Sequence, residues 1–198
     1  MSKTFSADAV RDAVHAGQHA FGENYIQEGV AKIAALRDLP ALTFHCIGPI
    51  QANKTRLVAE NFDWVQSVDR LRIGQRLSEQ RPAHLAPLQI CMQVNIDGGA
   101  NKSGVLPEEA AELAQALASL PQLVLRGLMA IPEPAPTFEA ALAVHRRTRA
   151  LFDQINAEAG LPHAMDTLSL GMSADLEAAI HAGSTLVRVG SAVFGARA

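Results

Sequence analysis

From residue 4 to its end the chain alternates short apolar, β-branched runs with amphipathic helical patterns, and few folds accommodate that alternation. Each intervening segment is long enough to carry the chain back across a sheet, so successive runs pair in parallel and the class is α/β. Seven runs read as strands: 19–22, 43–48, 63–68, 88–96, 123–131, 167–171 and 186–190. Helical patterns fill the gaps. Ala110, Leu113, Ala114 and Leu117 fall at i, i+3, i+4 and i+7 behind Pro107 and two acids that suit a first helical turn. In the longest pattern Phe138, Ala141, Leu142, His145, Phe152 and Ile155 form a stripe, with Thr137 as its N-cap. Pro132, Pro134 and Pro136 mark the loop before it.

Seven strand–helix units invite comparison with an eight-stranded barrel, and the opening of the chain supplies the missing piece. It begins on a helix, with Ser6 as N-cap for 7–16 and Val10 and Val14 on one face. A further strand is therefore expected before it, ending near Met1-Ser2-Lys3 with only its last residues present. The expected fold is a (β/α)8 TIM-type barrel whose first strand is largely missing, in one domain over 1–198. No repeat at solenoid spacing and no low-complexity segment argues otherwise.

Composition narrows the partner. A chain of 198 residues with 48% hydrophobic content buries a full core. A net charge of −3, with Lys and Arg scattered rather than blocked, leaves no footprint for nucleic acid or an anionic membrane. No apolar stretch approaches the ~20 residues of a membrane span. Cys46 and Cys91 each sit in an apolar run, which predicts buried thiols in a reducing, cytoplasmic compartment. A small-molecule partner is expected.

In such barrels chemistry sits at the C-terminal ends of the strands, with phosphate commonly held after the seventh and eighth. Counting the truncated strand as first, those positions are Gly171-Met172-Ser173 and Gly190-Ser191, with Arg188 between them. Backbone N–H groups at a helix start favour a dianion, and the hydroxyls of Ser173 and Ser191 complete a cradle. The other strand ends offer Lys3, Glu23 with Asn24, Pro49 with Gln51 and Asn53, Asn95 and Pro132. Lys3 is placed to form a Schiff base if its amine is kept neutral; an exposed lysine near a terminus is the bland alternative. Arg188 alternates with Val187 and Val189 and points away from them, toward a ligand or a structural carboxylate.

These residues carry a family resemblance. Ser2-Lys3-Thr4, FGENYIQE at 21–28, FHCIGPIQANK at 44–54, NKSG at 101–104, GLMAIP at 127–132 and the segment 168–197 together resemble the pyridoxal phosphate homeostasis proteins. The barrel of that family is similar to the N-terminal domain of alanine racemase. The resemblance implies that Lys3 holds pyridoxal 5′-phosphate as an internal aldimine. It implies further that Ser173, Gly190 and Ser191 cradle the phosphate with Met172 supplying backbone, that Arg188 faces the pyridine nitrogen, and that Asn24 lines the pocket. Asn53 and His45 are weaker carry-overs, each equally suited to satisfying local backbone groups. Lys102 lies in a matching loop linked to cofactor exchange, against the reading of a solvated loop lysine.

An arginine stays protonated, so it leaves the pyridine nitrogen unprotonated and the ring a poorer electron sink. Racemases with this arginine use a tyrosine base from a second domain and the opposing subunit; the single tyrosine here, Tyr25, begins a helix and is a poor candidate. The implied function is a carrier and buffer of pyridoxal 5′-phosphate in vitamin B6 homeostasis, without turnover, a monomer whose recipients are pyridoxal-phosphate-dependent apoenzymes. The alternatives are an amino-acid racemase of the same fold and a sugar-phosphate aldolase, for which Glu23 is the one obvious carboxylate. Members of the family also carry an N-terminal helix and a full strand before Ser-Lys-Thr, where this chain has Met1 alone. Either the sequence is truncated, by a late start, or the barrel stands open between its second and eighth strands; reduced stability and a poorly supported Lys3 are expected.

Overall fold

The computed structural model describes residues 1–99 and 102–195. Six strands, β1 (Ala20–Glu23), β2 (Thr43–Cys46), β3 (Trp64–Val68), β4 (Leu88–Gln93), β5 (Leu123–Met129) and β6 (Thr167–Ser169), form one sheet in sequence order. Every neighbouring pair is parallel. The helices α1 (Ala7–His15), α2 (Ile26–Ala35), α3 (Thr55–Asn61), α4 (Leu71–Gln80), α5 (Ala110–Ala118), α6 (Phe138–Glu158), α7 (Leu176–His181) and α8 (Ser191–Phe194) make the crossovers and the C-terminal turn.

Burial explains the strand sequences. β4 reads Leu-Gln-Ile-Cys-Met-Gln and is buried at five of its six positions, because a central parallel strand is covered on both faces. Helix α6 turns Ala141, His145, Thr148, Phe152 and Ile155 inward, and Thr137 Oγ1 caps it by accepting from Ala140 N–H at 3.2 Å. Ser6 Oγ does the same for α1, accepting from Ala9 N–H at 3.2 Å. Both caps fall where the sequence predicts them. On α5, Ala110, Ala114 and Leu117 are buried and Leu113 packs against the core from the side. Gly127 lets β5 lie against β6, since a Cβ there would overlap the Thr167 carbonyl oxygen.

The eight-stranded ring gives way to a six-stranded half-barrel. The predicted strand at 186–190 is reduced to a single bridge, Ser169 to Leu186, continued by Arg188 N–H donating to Gly171 O at 3.0 Å. On its other side the Met1 nitrogen donates to Val189 O at 2.6 Å. Met1 and Ser2 lie beside β1, where the sequence expects the end of a further strand. Yet the expected open gap is spanned: Ser2 N–H donates to Gly22 O of β1 at 3.0 Å while Met1 reaches Val189. Two residues thus tie β1 to the chain at 189.

Cys46 and Cys91 are both buried, as expected, and burial pushes each thiol up to about 12. Among the described residues no helix is long and apolar enough to cross a membrane. Nor do they hold a group of three or more His, Cys, Asp or Glu side chains arranged for a metal ion.

Candidate functional site

The site gathers at the C-terminal ends of β1, β6 and the 186–190 segment. Lys3 and Thr4 occupy the centre of a β-turn closed by Phe5 N–H donating to Ser2 O at 3.1 Å, with Thr4 at a φ of 69°. Positive φ is uncommon for a residue with a β-branched side chain, so something must hold the turn. That something is a buried cation. Lys32 of α2 donates from Nζ to Ser2 O at 2.6 Å, to Glu23 Oε1 at 2.9 Å and to Glu28 Oε1 at 2.6 Å. Glu28 Oε1 also accepts the Thr4 N–H at 2.6 Å, and Ser2 Oγ donates to Glu23 Oε1 at 2.7 Å. Both peptide groups flanking Lys3 are therefore gripped from α2 and β1. Burial pushes the Glu23 carboxyl above its ordinary range, opposed by the bonds from Ser2 and Lys32.

The phosphate-cradle candidates converge. Ser173 Oγ, in the loop after β6, and Ser191 Oγ, at the start of α8, lie 3.5 Å apart, and both residues are exposed. The amides of Ser173, Gly190 and Ser191 find no acceptor among the described residues. Gly190 packs beside the chain start: a Cβ there would sit 3.4 Å from Met1. Met172 differs. Its N–H is given to Asp175 Oδ1 at 2.7 Å, and its side chain is exposed.

Arg188 is buried beneath this rim. Its Nη1 donates to Ser169 O at 2.8 Å and Ser169 Oγ at 2.9 Å, and its Nη2 to Ala130 O at 2.9 Å. Burial brings its guanidinium down to about 10, which leaves it charged at neutral pH. A polar chain runs on from it across the barrel interior. Ser169 Oγ donates to Gln66 Oε1 at 2.7 Å, and Gln66 Nε2 lies 3.0 Å from His45 Nδ1. His45 stacks on Trp64 with ring centres 5.1 Å apart, and burial drives its pKa down to about 4, so the ring is neutral. Gln66 then donates to Nδ1, and the imidazole proton sits on Nε2.

The remaining candidates are spread around the same rim. Asn24 is half-buried, and its carbonyl packs so closely on Gly48 that a Cβ there would overlap it. Asn53 and Gln51 are exposed at the turn before α3, and Asn95 Nδ2 donates to Gly99 O at 2.9 Å. Lys102 is paired locally, 3.1 Å from Glu133 Oε1 with a longer contact of 3.4 Å to Ile131 O. Asn101 and residues 196–197 of the matching segments lie outside the described residues. Tyr25 is 58% exposed at the start of α2, away from the buried Arg188. Sequence reasoning missed Lys32, Ser169, Gln66 and Asp175. The Glu28 and Lys32 spacing of i, i+4 was the available signal for the first, although it ordinarily marks a surface pair.

The comparison with known proteins decides the family. The model of the alanine racemase N-terminal domain matches residues 3–198. The chain belongs to the alanine racemase N-terminal domain family. Within that family it is 57% identical over 197 residues to the pyridoxal phosphate homeostasis protein of Pseudomonas aeruginosa, covering 100% of this chain and 83% of that one. It is 53% identical over 199 residues to the protein of that name in Escherichia coli, covering 100% and 84%. Among solved structures, PipY of Synechococcus elongatus with PLP bound superposes with a TM-score of 0.88 at 36% identity, covering 98% of this chain and 90% of PipY. The alanine racemase of Clostridium difficile shares the fold at a TM-score of 0.74 and 17% identity, covering 96% of this chain and 50% of the racemase.

Proposed function

We propose that this chain binds pyridoxal 5′-phosphate through Lys3 and serves intracellular vitamin B6 homeostasis as a carrier and buffer, without turnover. The observation that carries the reading is the convergence of a clamped Lys3 turn, the serine pair and the buried Arg188 on one rim. The residues fit the group. Ser173 and Ser191 offer two hydroxyls 3.5 Å apart, with amides lacking acceptors beside them, which suits a phosphate dianion. Met1, two residues before Lys3, packs beside Gly190. The relatives of more than half identity are named for pyridoxal phosphate homeostasis, and PipY holds PLP on the same fold.

When bound, the group would supply an amine-reactive aldehyde, and Lys3 is the residue whose amine would hold it. Lys32 and Glu28 hold the peptides on either side of Lys3, so the amine is presented from a fixed turn. Arg188 keeps a buried positive charge, which would disfavour protonating the pyridine nitrogen of a group held beside it and so disfavour carbanion chemistry. Apoenzymes that use pyridoxal phosphate are the recipients in this reading, and the carrier is a monomer in the cytoplasm.

The test is to add pyridoxal 5′-phosphate to purified protein and follow the visible absorption band of the lysine adduct, with Lys3→Ala as control. An unchanged band in the variant overturns the lysine assignment. Sustained, Lys3-dependent exchange of amino-acid α-hydrogen with solvent deuterium overturns the carrier role in favour of a racemase.

A further inference from the structure

We propose that His145 is a positioning residue for the phosphate cradle: through Asp175 it fixes the Met172 peptide, and with it the stance of Ser173 opposite Ser191. The proposal rests on the cofactor-holding reading above and assigns a role to a histidine that the reading does not use. His145 lies on the inward stripe of α6 and is fully buried. Its Nε2 is 2.9 Å from Asp175 Oδ2. The other oxygen of the same carboxylate accepts the Met172 N–H at 2.7 Å, and Met172 O accepts the Asp175 N–H at 3.2 Å. Asp175 and Met172 thereby close a small ring around Ser173. At the opposite end of the turn, Gly171, at a φ of 90°, accepts the Arg188 N–H at 3.0 Å. The serine is held between two anchors, one on Arg188 and one on His145.

Three physical points assign the imidazole to the turn rather than to the core. A carboxylate only accepts, so Nε2 carries the proton; Nδ1 then has no partner among the described residues. Keeping a buried nitrogen unpartnered is unfavourable, and an apolar residue on this stripe would avoid it. Second, the His145 bond is the leading cause that holds the Asp175 carboxyl below its usual range, so Asp175 stays an anion. Third, a carboxylate two residues from Ser173 opposes an incoming dianion. The N–H groups of His145 and Met172, one on each carboxylate oxygen, offset part of its charge. Without His145 the carboxylate is free to turn, and the Met172 peptide with it.

Because the turn meets only the phosphate, the experiment compares two ligands that share aldehyde and ring. Pyridoxal 5′-phosphate and pyridoxal are titrated against the Lys3-dependent band in the parent, His145→Ala and His145→Gln. Gln places an amide N–H near the position of Nε2. His145→Ala is expected to raise the Kd for the phosphorylated ligand roughly tenfold while leaving pyridoxal within roughly twofold, and His145→Gln to recover most of the loss. An equal loss for both ligands, or none for either, overturns the proposal. If the variants do not fold, the parent carries the test. Its His145 imidazole nitrogen resonances should shift on saturation with pyridoxal 5′-phosphate and not with pyridoxal, and unmoved resonances overturn the assignment. A parent protein with no Lys3-dependent band removes the cofactor reading and this proposal together. A parent with the band, whose ligand ratio His145→Ala leaves unchanged, removes this proposal alone.

Discussion

Lys32 and Ser2 stand thirty residues apart in sequence, and the lysine ammonium donates to the serine carbonyl at 2.6 Å in the interior. The same ammonium meets Glu23, whose side chain is fully buried. Removing one partner of a buried ion pair leaves the other charge without compensation. Lys32→Met is therefore expected to cost about 3 kcal/mol of stability in urea unfolding. Adding Glu23→Gln should recover part of that loss, because the stranded charge is then gone. A single variant as stable as the parent contradicts the clamp.

His45 sets a pH dependence. Its pKa falls from 6.5 to about 4 on folding, because burial disfavours the charged ring. A depressed folded-state value means that the contribution is fully present above 6.5, where the unfolded chain is also neutral. It is lost progressively as pH falls toward 4, as the unfolded chain takes up a proton that the folded protein refuses. The loss over that window is on the order of 3 kcal/mol. Urea midpoints measured across it should fall in the parent and flatten in His45→Gln. Equal slopes in the two proteins would show that His45 does not titrate as the buried geometry requires.

The strands that the sequence discloses best are those whose partners lie on both sides in the chain. Runs at 43, 88, 123 and 167 start where the sheet starts, since a strand covered on both faces must be apolar throughout. Leu186-Val187-Arg188-Val189 has the same β-branched character and forms only one bridge. Its contact on the other side is with Met1, a pairing between distant parts of the sequence that no local pattern expresses. Lys3, Ser173, Arg188 and Ser191 stand out in the sequence as candidates because turn chemistry and strand ends mark them. Lys32 does not, since Glu28 and Lys32 read as a solvated helix pair until Ser2 and Glu23 cover them. His145 was seen as one member of an apolar stripe; its partner Asp175 lies thirty residues on, beyond any helical spacing.

Arg188 joins the ends of β5 and β6. Its guanidinium fork takes Ser169 O and Oγ on one nitrogen and Ala130 O on the other. Arg188→Gln leaves these buried acceptors short of donors and is expected to cost about 3 kcal/mol. Arg188→Lys should not restore it, because a single ammonium lacks the planar fork that reaches both carbonyls. Urea unfolding of the two variants checks this, and a lysine variant equal to the parent argues that charge alone suffices.

Gly127 fixes how closely β5 approaches β6. Its register partner is Thr167, and a Cβ at 127 would overlap the Thr167 carbonyl oxygen, a backbone atom that cannot move aside without breaking the ladder. The flexible end of a side chain would yield; a paired carbonyl does not. Gly127→Ala should therefore cost about 3 kcal/mol, at the upper end for overpacking by one methyl group. β6 leads directly to Gly171 and Ser173, so the displacement should reach the serine pair. The variant is expected to lose affinity for pyridoxal 5′-phosphate as well as stability. Gly17→Ala serves as a contrast, since a Cβ there meets nothing within 4 Å; its φ of 95° confines any cost to local backbone strain in the turn after α1. Thermal unfolding and adduct titration on the pair should separate them, with ligand affinity changed only at 127.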